Sequence, residues 1–361
     1  MPELNREEIE RYMKTVMGAD TRILNLKLLG ESEDADIKAY GYGSPLQIDY
    51  ECNGKKHRAV LHTISPGPFG HEHMSDRAQM LLWDHKTFNS LPRHVRSIDA
   101  GAFRRSGNAV SLGDAEEFFI LTDYAEGRCY VEDVTRMRDD GRLTDLDATR
   151  ADALCDYLVE IHRVKRDSPD LYARRIRELI GHSECIMGLI DSYPTARNPA
   201  AVALLMTIEK QCVEWRWRIK DRVHRLCQVH GDFHPWNILF REGIDFFLLD
   251  RSRGEWGEPA DDVTSLTMNY LFFSLQRSGK LDGNFESLFR GFWERYLAKS
   301  GDQEMLQVAA PFFAFRGLVM AHPIWYPNLT EDVRQKLFNF MQSVLSEQAF
   351  NPDEVNRYCE V

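Results

Sequence analysis

The chain has 361 residues, 43% of them hydrophobic, and a net charge of −11. That size can bury a sizeable core in two domains or lobes, and the acidic balance argues against nucleic acid as a partner. Seven scattered cysteines, without a Cys-x-x-Cys pair, argue against a disulfide scaffold or zinc site and for reduced thiols in the cytosol. No apolar run reaches membrane-spanning length, and the charged start Met1-Pro2-Glu3-Leu4 has no signal-peptide core, so no membrane partner is expected.

In chain order, a helix is expected from about Arg6 to Met17, with Ile9, Tyr12 and Met13 as its apolar stripe. Alternating segments follow at Ile23–Leu29, Ile37–Tyr42 and Leu46–Tyr50, and Asn53-Gly54 predicts a tight hairpin between Gln47–Cys52 and His57–Ile64. Ser65-Pro66-Gly67-Pro68-Phe69-Gly70 reads as a loop. A helix near Ser75 then presents Ala78, Leu81, Leu82 and His85. His71-Glu72-His73 with His62 has poor spacing for a metal site and reads as a solvated loop. Phe118 to Gly127 reads as an edge strand ending in a turn.

From about residue 128 the pattern is helical. Arg150–Val164 carries Leu154, Tyr157, Leu158 and Ile161 on one side. Further helices are expected over Leu171–Ile190, Ala200–Cys227, Val263–Gln276, Phe285–Ala298, Met305–Val319 and Asp332–Leu345.

The most informative stretch is His230-Gly231-Asp232-Phe233-His234-Pro235-Trp236-Asn237, then Phe246-Phe247-Leu248-Leu249-Asp250. Gly243 supplies the turn of a hairpin between the two parts. Phosphoryl transfer from a nucleotide needs these groups: Asp232 to orient and deprotonate an acceptor hydroxyl, Asn237 and Asp250 as oxygen donors to Mg²⁺. A buried polar turn feeding an ordinary hairpin is the bland alternative, and it does not account for residue types, spacing and strand context together.

His-Gly-Asp-x-x-x-x-Asn before a strand ending in Asp resembles the aminoglycoside phosphotransferase and choline kinase superfamily. Gly257-Glu258-Pro259-Ala260-Asp261-Asp262 resembles its Gly-Asp-Pro-x-x-Asp segment, with Glu258 replacing the first acid, and Leu158-Val159-Glu160-Ile161-His162 resembles its Leu-x-x-Leu-His helix end. The similarity covers about residues 20 to 330 and is specific only from Asp232 to Asp262. It implies an α+β, bilobal protein-kinase-like fold. Residues 1–125 would form a small β-rich N-lobe that binds nucleotide, and 126–361 a large, mainly helical C-lobe with the catalytic loop and acceptor site. It also implies ATP or GTP as donor, Mg²⁺ as cofactor and a small-molecule hydroxyl as acceptor, with Asp262 bracing the catalytic loop.

The resemblance also exposes a departure. The family's phosphate-binding lysine is matched by His62 in Arg58-Ala59-Val60-Leu61-His62-Thr63, with Val60 placed to roof an adenine ring. Gly41-x-Gly43 stands where a glycine loop would cover the phosphates, although an ordinary turn explains it equally well. Asp123, Tyr124 and Ala125 would form the hinge against the adenine edge. Asp76 or Glu72 would be the acid that pairs with the lysine position. Trp256, Tyr270, Trp325 and Tyr326, with Asp261 and Glu258, are candidates around the acceptor, though aromatics at helical spacing are more often core. His62 leaves a second reading open: a catalytically silent, nucleotide- or metabolite-binding pseudokinase. A protein kinase lacks support, since no Ala-Pro-Glu-like segment follows Asp250. Oligomeric state is not legible.

Overall fold

A computed structural model describes residues 6–29, 43, 45–66, 71, 74–104, 117–194 and 199–360. The chain divides into two units, Met1–Glu126 with Phe247–Ser252 and Gly127–Phe246 with Arg253–Val361.

The first unit runs α1 (Arg6–Met17), β1 (Arg22–Leu28), β2 (Leu46–Cys52), β3 (Lys55–Thr63), α2 (Met74–Phe88), β4 (Ser97–Phe103) and β5 (Glu117–Asp123). The strands form one antiparallel sheet in the order β1-β2-β3-β5-β4. Burial alternates along β2, so one face of the sheet carries the core. Ile9, Tyr12 and Met13 of α1 pack there on Ile48, Leu61, Phe119 and Leu121. On the other face, Ala78, Leu81 and Phe88 of α2 pack on Ala102 and Ile120. Asn53 and Gly54 have φ of 51° and 68°, the left-handed pair that the right-handed twist of a two-residue hairpin favours.

Two expectations are corrected here. β5 is not an edge strand: β4, unrecognised in the sequence because Ser97-Ile98-Asp99-Ala100-Gly101 lacks a clean alternation, pairs along its outer side. Leu82 is 42% exposed and does not share the α2 core face with Ala78 and Leu81. The expected strand Ile37–Tyr42, Gly41, Glu72 and His73 lie outside the described residues.

The second unit begins with β6 (Arg128–Cys129) and α3 (Tyr130–Asp140), then α4 (Asp145–His162), α5 (Pro169–Gly181), α6 (Ile186–Ser192) and α7 (Pro199–Ile219). Short strands β7 (Cys227–Gln228), β8 (Ile238–Phe240), β9 (Phe246–Leu248) and β10 (Trp256–Gly257) follow. The chain passes from one unit to the other within β9. α8 (Ala260–Ser278), α9 (Gly283–Ser300), α10 (Ala310–Ala321), α11 (Glu331–Ser346) and α12 (Val355–Cys359) complete the unit.

α4 starts five residues before the expected Arg150, because Thr144 and Asp147 form a reciprocal capping box. The single helix expected over Leu171–Ile190 is two, broken where Gly181 ends α5 and His182 takes an extended conformation. The long helix expected to reach Cys227 ends at Ile219, and β7 pairs with β10 instead. The helix expected from Met305 begins at Ala310, after a short 3₁₀ turn at Gln303–Gln307. α8 is buried on all sides from Val263 to Leu275, as befits a helix at the centre of a helical unit.

Candidate active site

The loop between β7 and β8 is organised by one carboxylate. Asp262, fully buried in the first turn of α8, accepts the His230 amide at 2.8 Å on Oδ2 and the Gly231 amide at 2.7 Å on Oδ1. His162, at the end of α4, gives Nε2–H to Asp262 Oδ2 at 3.1 Å and meets the Tyr296 hydroxyl with Nδ1 at 2.8 Å. Burial pushes the Asp262 carboxyl up, but the bond from His162 and the loop amide outweigh it and hold it below the usual carboxylate range. Gly231 has φ 88°, which a side chain would strain. A Cβ there would also lie 3.1 Å from that of Arg253.

This bend delivers Asp232. Its Oδ1 accepts Arg316 Nη1 at 2.5 Å, with Arg253 Nη2 at 3.9 Å, and its Oδ2 lies 3.3 Å from His234 Nε2. Burial works to raise the carboxyl, but His234 and Arg316 prevail and hold it well below the ordinary range. Asp232 is therefore an anion at neutral pH. Arg316, on α10, also reaches the Gly231 carbonyl at 3.2 Å and Asp261 Oδ1 at 2.7 Å, bridging α8 to the loop. Asp261, raised by burial against the pull of Arg316 and Arg253, completes the cluster.

Asn237 is buried and gives Nδ2–H to the Asp232 carbonyl at 3.0 Å and to Asp232 Oδ2 at 3.3 Å. With its nitrogen so engaged, Oδ1 is the atom it can offer a cation. The second unit thus brings Asp232 and Asn237 together.

Asp250 belongs to the first unit. It has φ 52°, a conformation that aspartate tolerates better than most residues. It sits between two anchors: Leu248 bonds the Arg93 carbonyl and the Val95 amide, and fully buried Arg251 gives Nη1–H to Thr87 O at 2.8 Å and Ser90 Oγ at 3.0 Å.

The expected nucleotide contacts are also in the first unit. On β3, Val60 and His62 pair with Thr122 and Ile120 of β5, so they share the face that α2 covers. His62 Nε2 lies 3.3 Å from Thr122 Oγ1, and burial pushes its pKa down to about 4, leaving a neutral ring. Asp123 and Tyr124 give their amides to the Arg96 and Arg58 carbonyls. Of the three expected hinge residues, Ala125 keeps an amide to offer, among the described contacts.

The acceptor candidates separate. Tyr270 is core: fully buried, its hydroxyl lies 3.0 Å from that of Tyr130. Glu258 is a brace, taking both Nε and Nη2 of buried Arg225 and the Tyr172 hydroxyl at 2.7 Å. Trp256 lies under Arg166, 5.3 Å from its guanidinium carbon. Trp325 and Tyr326 are buried, and Tyr326 stands nearest the loop: its ring is 6.4 Å from Trp236 and its hydroxyl feels the Asp232 charge. Asp261 meets Asp232 through Arg316.

Arg316, Arg253, Arg225 and Arg251 escaped the sequence reading. A usable signal existed for the first. Arg316 is the one charge in Ala310-Pro311-Phe312-Phe313-Ala314-Phe315-Arg316-Gly317-Leu318, and a cation in an otherwise apolar helix must find a buried counter-charge.

Residues 115–304 match the model of the phosphotransferase enzyme family. No curated protein matches the chain. Among solved structures, an amicoumacin kinase in complex with AMP-PNP, Ca²⁺ and Ami aligns with TM-score 0.55 at 13% identity, covering 91% of each chain. A putative fructosamine-3-kinase from Haemophilus somnus 129PT aligns with TM-score 0.51 at 9% identity, over 94% of this chain and 96% of that one. These likenesses establish the fold: a small antiparallel-sheet unit with a large helical one, as in small-molecule kinases of this type.

Proposed function

Because the chain belongs to the phosphotransferase enzyme family, we propose that it transfers the γ-phosphoryl group of ATP or GTP to a hydroxyl of a small molecule of aminoglycoside, amino-alcohol or sugar type. The observation that carries this reading is the Asp232 carboxylate, kept anionic by Arg316 and His234 with the Asn237 amide against it. An anion there accepts a hydrogen bond from the acceptor hydroxyl and aims its oxygen at the γ-phosphorus. The arginine contact weakens Asp232 as a base. That suits a loose transition state, in which the hydroxyl proton need not leave early.

Asn237 Oδ1 and the Asp250 carboxylate are hard oxygen donors of the kind Mg²⁺ takes. When bound, the ion would neutralise phosphate charge. Val60 would cover the base, Ala125 would offer its amide to the adenine edge with Asp123 and Tyr124 alongside, and His62 would give a neutral N–H to a phosphate oxygen. Seven free cysteines suit a reducing compartment, so the cytosol is the proposed location.

A neutral His62 also favours a second reading, a nucleotide-binding protein without turnover. Thermal shift with ATP and GTP, with and without Mg²⁺, on wild type and Asp250→Ala tests the donor site. Radiolabelled ATP with a panel of aminoglycosides, amino alcohols and sugars tests transfer. Magnesium-dependent stabilisation lost in Asp250→Ala, with label moving to one acceptor class, supports the kinase. The same stabilisation with no transfer supports the silent protein, and no stabilisation at millimolar nucleotide would remove both.

A further inference from the structure

Arg253 stands beside Asp232 in the second unit, and its guanidinium is held in place without being hydrogen-bonded. Three contacts fix the residue. Its carbonyl accepts Arg175 Nη1 at 2.6 Å, and its guanidinium carbon lies 4.3 Å from the centroid of the Phe315 ring on α10. Its Cβ packs so close to the loop that a Cβ on Gly231 would lie 3.1 Å from it. The ring attracts the flat cation and sets its position. Yet Nε and Nη1 are buried with no hydrogen-bond partner among the described residues, and Nη2 stands 3.9 Å from Asp232 Oδ1, beyond hydrogen-bond length.

Pairing the carboxylates of the loop does not require this cation. Arg316 already bonds Asp232 at 2.5 Å and Asp261 at 2.7 Å. A buried guanidinium whose N–H groups meet no acceptor costs stability, so its placement points to an anion that arrives with substrate. The side chain is 21% exposed, which leaves it a way to meet one. Phosphoryl transfer brings such an anion to this spot. A hydroxyl bonded to Asp232 stands within about 3 Å of it, and the γ-phosphorus about 3 to 3.5 Å from that hydroxyl oxygen. As the acceptor oxygen bonds to phosphorus, the bond to the bridging oxygen breaks and the nucleoside diphosphate leaves with the electron pair. Charge then lies on the three equatorial oxygens, and the hydroxyl proton passes to Asp232 late.

We infer that Arg253 is a further catalytic residue, which donates its unpartnered N–H groups to the equatorial oxygens of the phosphoryl group in flight. The inference rests on the phosphotransferase reading above. It also gives the reaction a fixed positive charge that the neutral ring of His62 does not supply. A cation that meets the phosphoryl group only in transit speeds the step without tightening the binding of intact nucleotide.

The test is a thermal-shift titration of the full chain with AMP-PNP and Mg²⁺, with ADP and Mg²⁺, and with ADP, Mg²⁺ and aluminium fluoride, which mimics the phosphoryl group in flight. Wild type should bind the fluoride mixture at least about tenfold more tightly than ADP alone. Arg253→Met should lose that gain and keep AMP-PNP affinity within about threefold, while Arg253→Lys, which retains the charge and the fold, should keep part of the gain. On any accepted substrate, kcat of Arg253→Met should fall about 10³-fold or more with KM nearly unchanged. Melts without ligand verify folding, and Arg253→Lys carries the comparison if Arg253→Met is unstable. AMP-PNP binding without any fluoride gain in wild type overturns the inference and leaves nucleotide binding standing. A gain that survives in Arg253→Met overturns it too, and so does an equal loss of AMP-PNP affinity, which would make Arg253 an ordinary nucleotide contact. No nucleotide binding by wild type removes the phosphotransferase reading and this inference with it.

Discussion

The loop that carries Asp232 and the strand that carries His62 treat charge in opposite ways. In the loop, each buried charge has a counter-charge: Asp232 and Asp261 share Arg316, and Asp262 faces His162 and two backbone amides. In the strand, His62 sits against the Thr122 hydroxyl and burial removes its charge. Holding an ion in a buried place requires partners from several elements, whereas a neutral ring needs only one hydroxyl. On the proposed reading, the loop around Asp232 keeps its charge while the phosphate contact offered by His62 is a weaker, neutral one.

The largest effect is expected at the loop. Asp232→Asn removes the anion without removing its shape, and turnover on any accepted substrate should fall about 10²- to 10⁴-fold. Nucleotide-induced thermal stabilisation should stay intact; equal loss of both would place Asp232 in nucleotide binding instead.

Arg316→Met strands two carboxylates. Breaking buried pairs of this kind costs about 3–5 kcal/mol, read as a lower denaturant midpoint, and adding Asp261→Asn should recover part of it because one orphan charge is gone. No loss in the single variant would mean that water already neutralises the cluster.

The strand should respond in the other direction. His62→Lys restores a point charge for phosphate, and affinity for a non-hydrolysable nucleotide measured by calorimetry should rise about tenfold, or 1.4 kcal/mol. Unchanged affinity would show that another group already fills that role.

The smallest expected effect is a pH slope. His62 has a folded pKa of about 4, below its ordinary value of about 6.5, so the unfolded chain takes up its proton first. Its contribution is present above the ordinary value and is lost as pH falls towards 4. His62→Gln should flatten the acid side of the stability curve over that window, and an unchanged slope would mean that the ring is charged in the folded protein.

How much was legible in the sequence followed the range of the forces involved. Alternation and the Asn53-Gly54 turn revealed β2 and β3, and the spacing of Asp232 and Asn237 revealed that they share one loop, because turns, strands and a short loop depend on near neighbours. β4 was not legible: an irregular alternating segment becomes a strand only by pairing with β5, and that pairing is what makes β5 internal. The break between α5 and α6 depended on local backbone at His182 that periodicity does not register.

The sequence by itself determined the family, through the motif from Asp232 to Asp262, and the hairpin of β2 and β3. Only the tertiary structure decided that Asp232 is anionic, that Asp262 ties down the loop, that Glu258 and Tyr270 are framework rather than acceptor contacts, and that His62 is neutral. The physical reason is that charge state depends on burial and on groups such as Arg316, 84 residues away from Asp232 along the chain. No local pattern encodes that proximity.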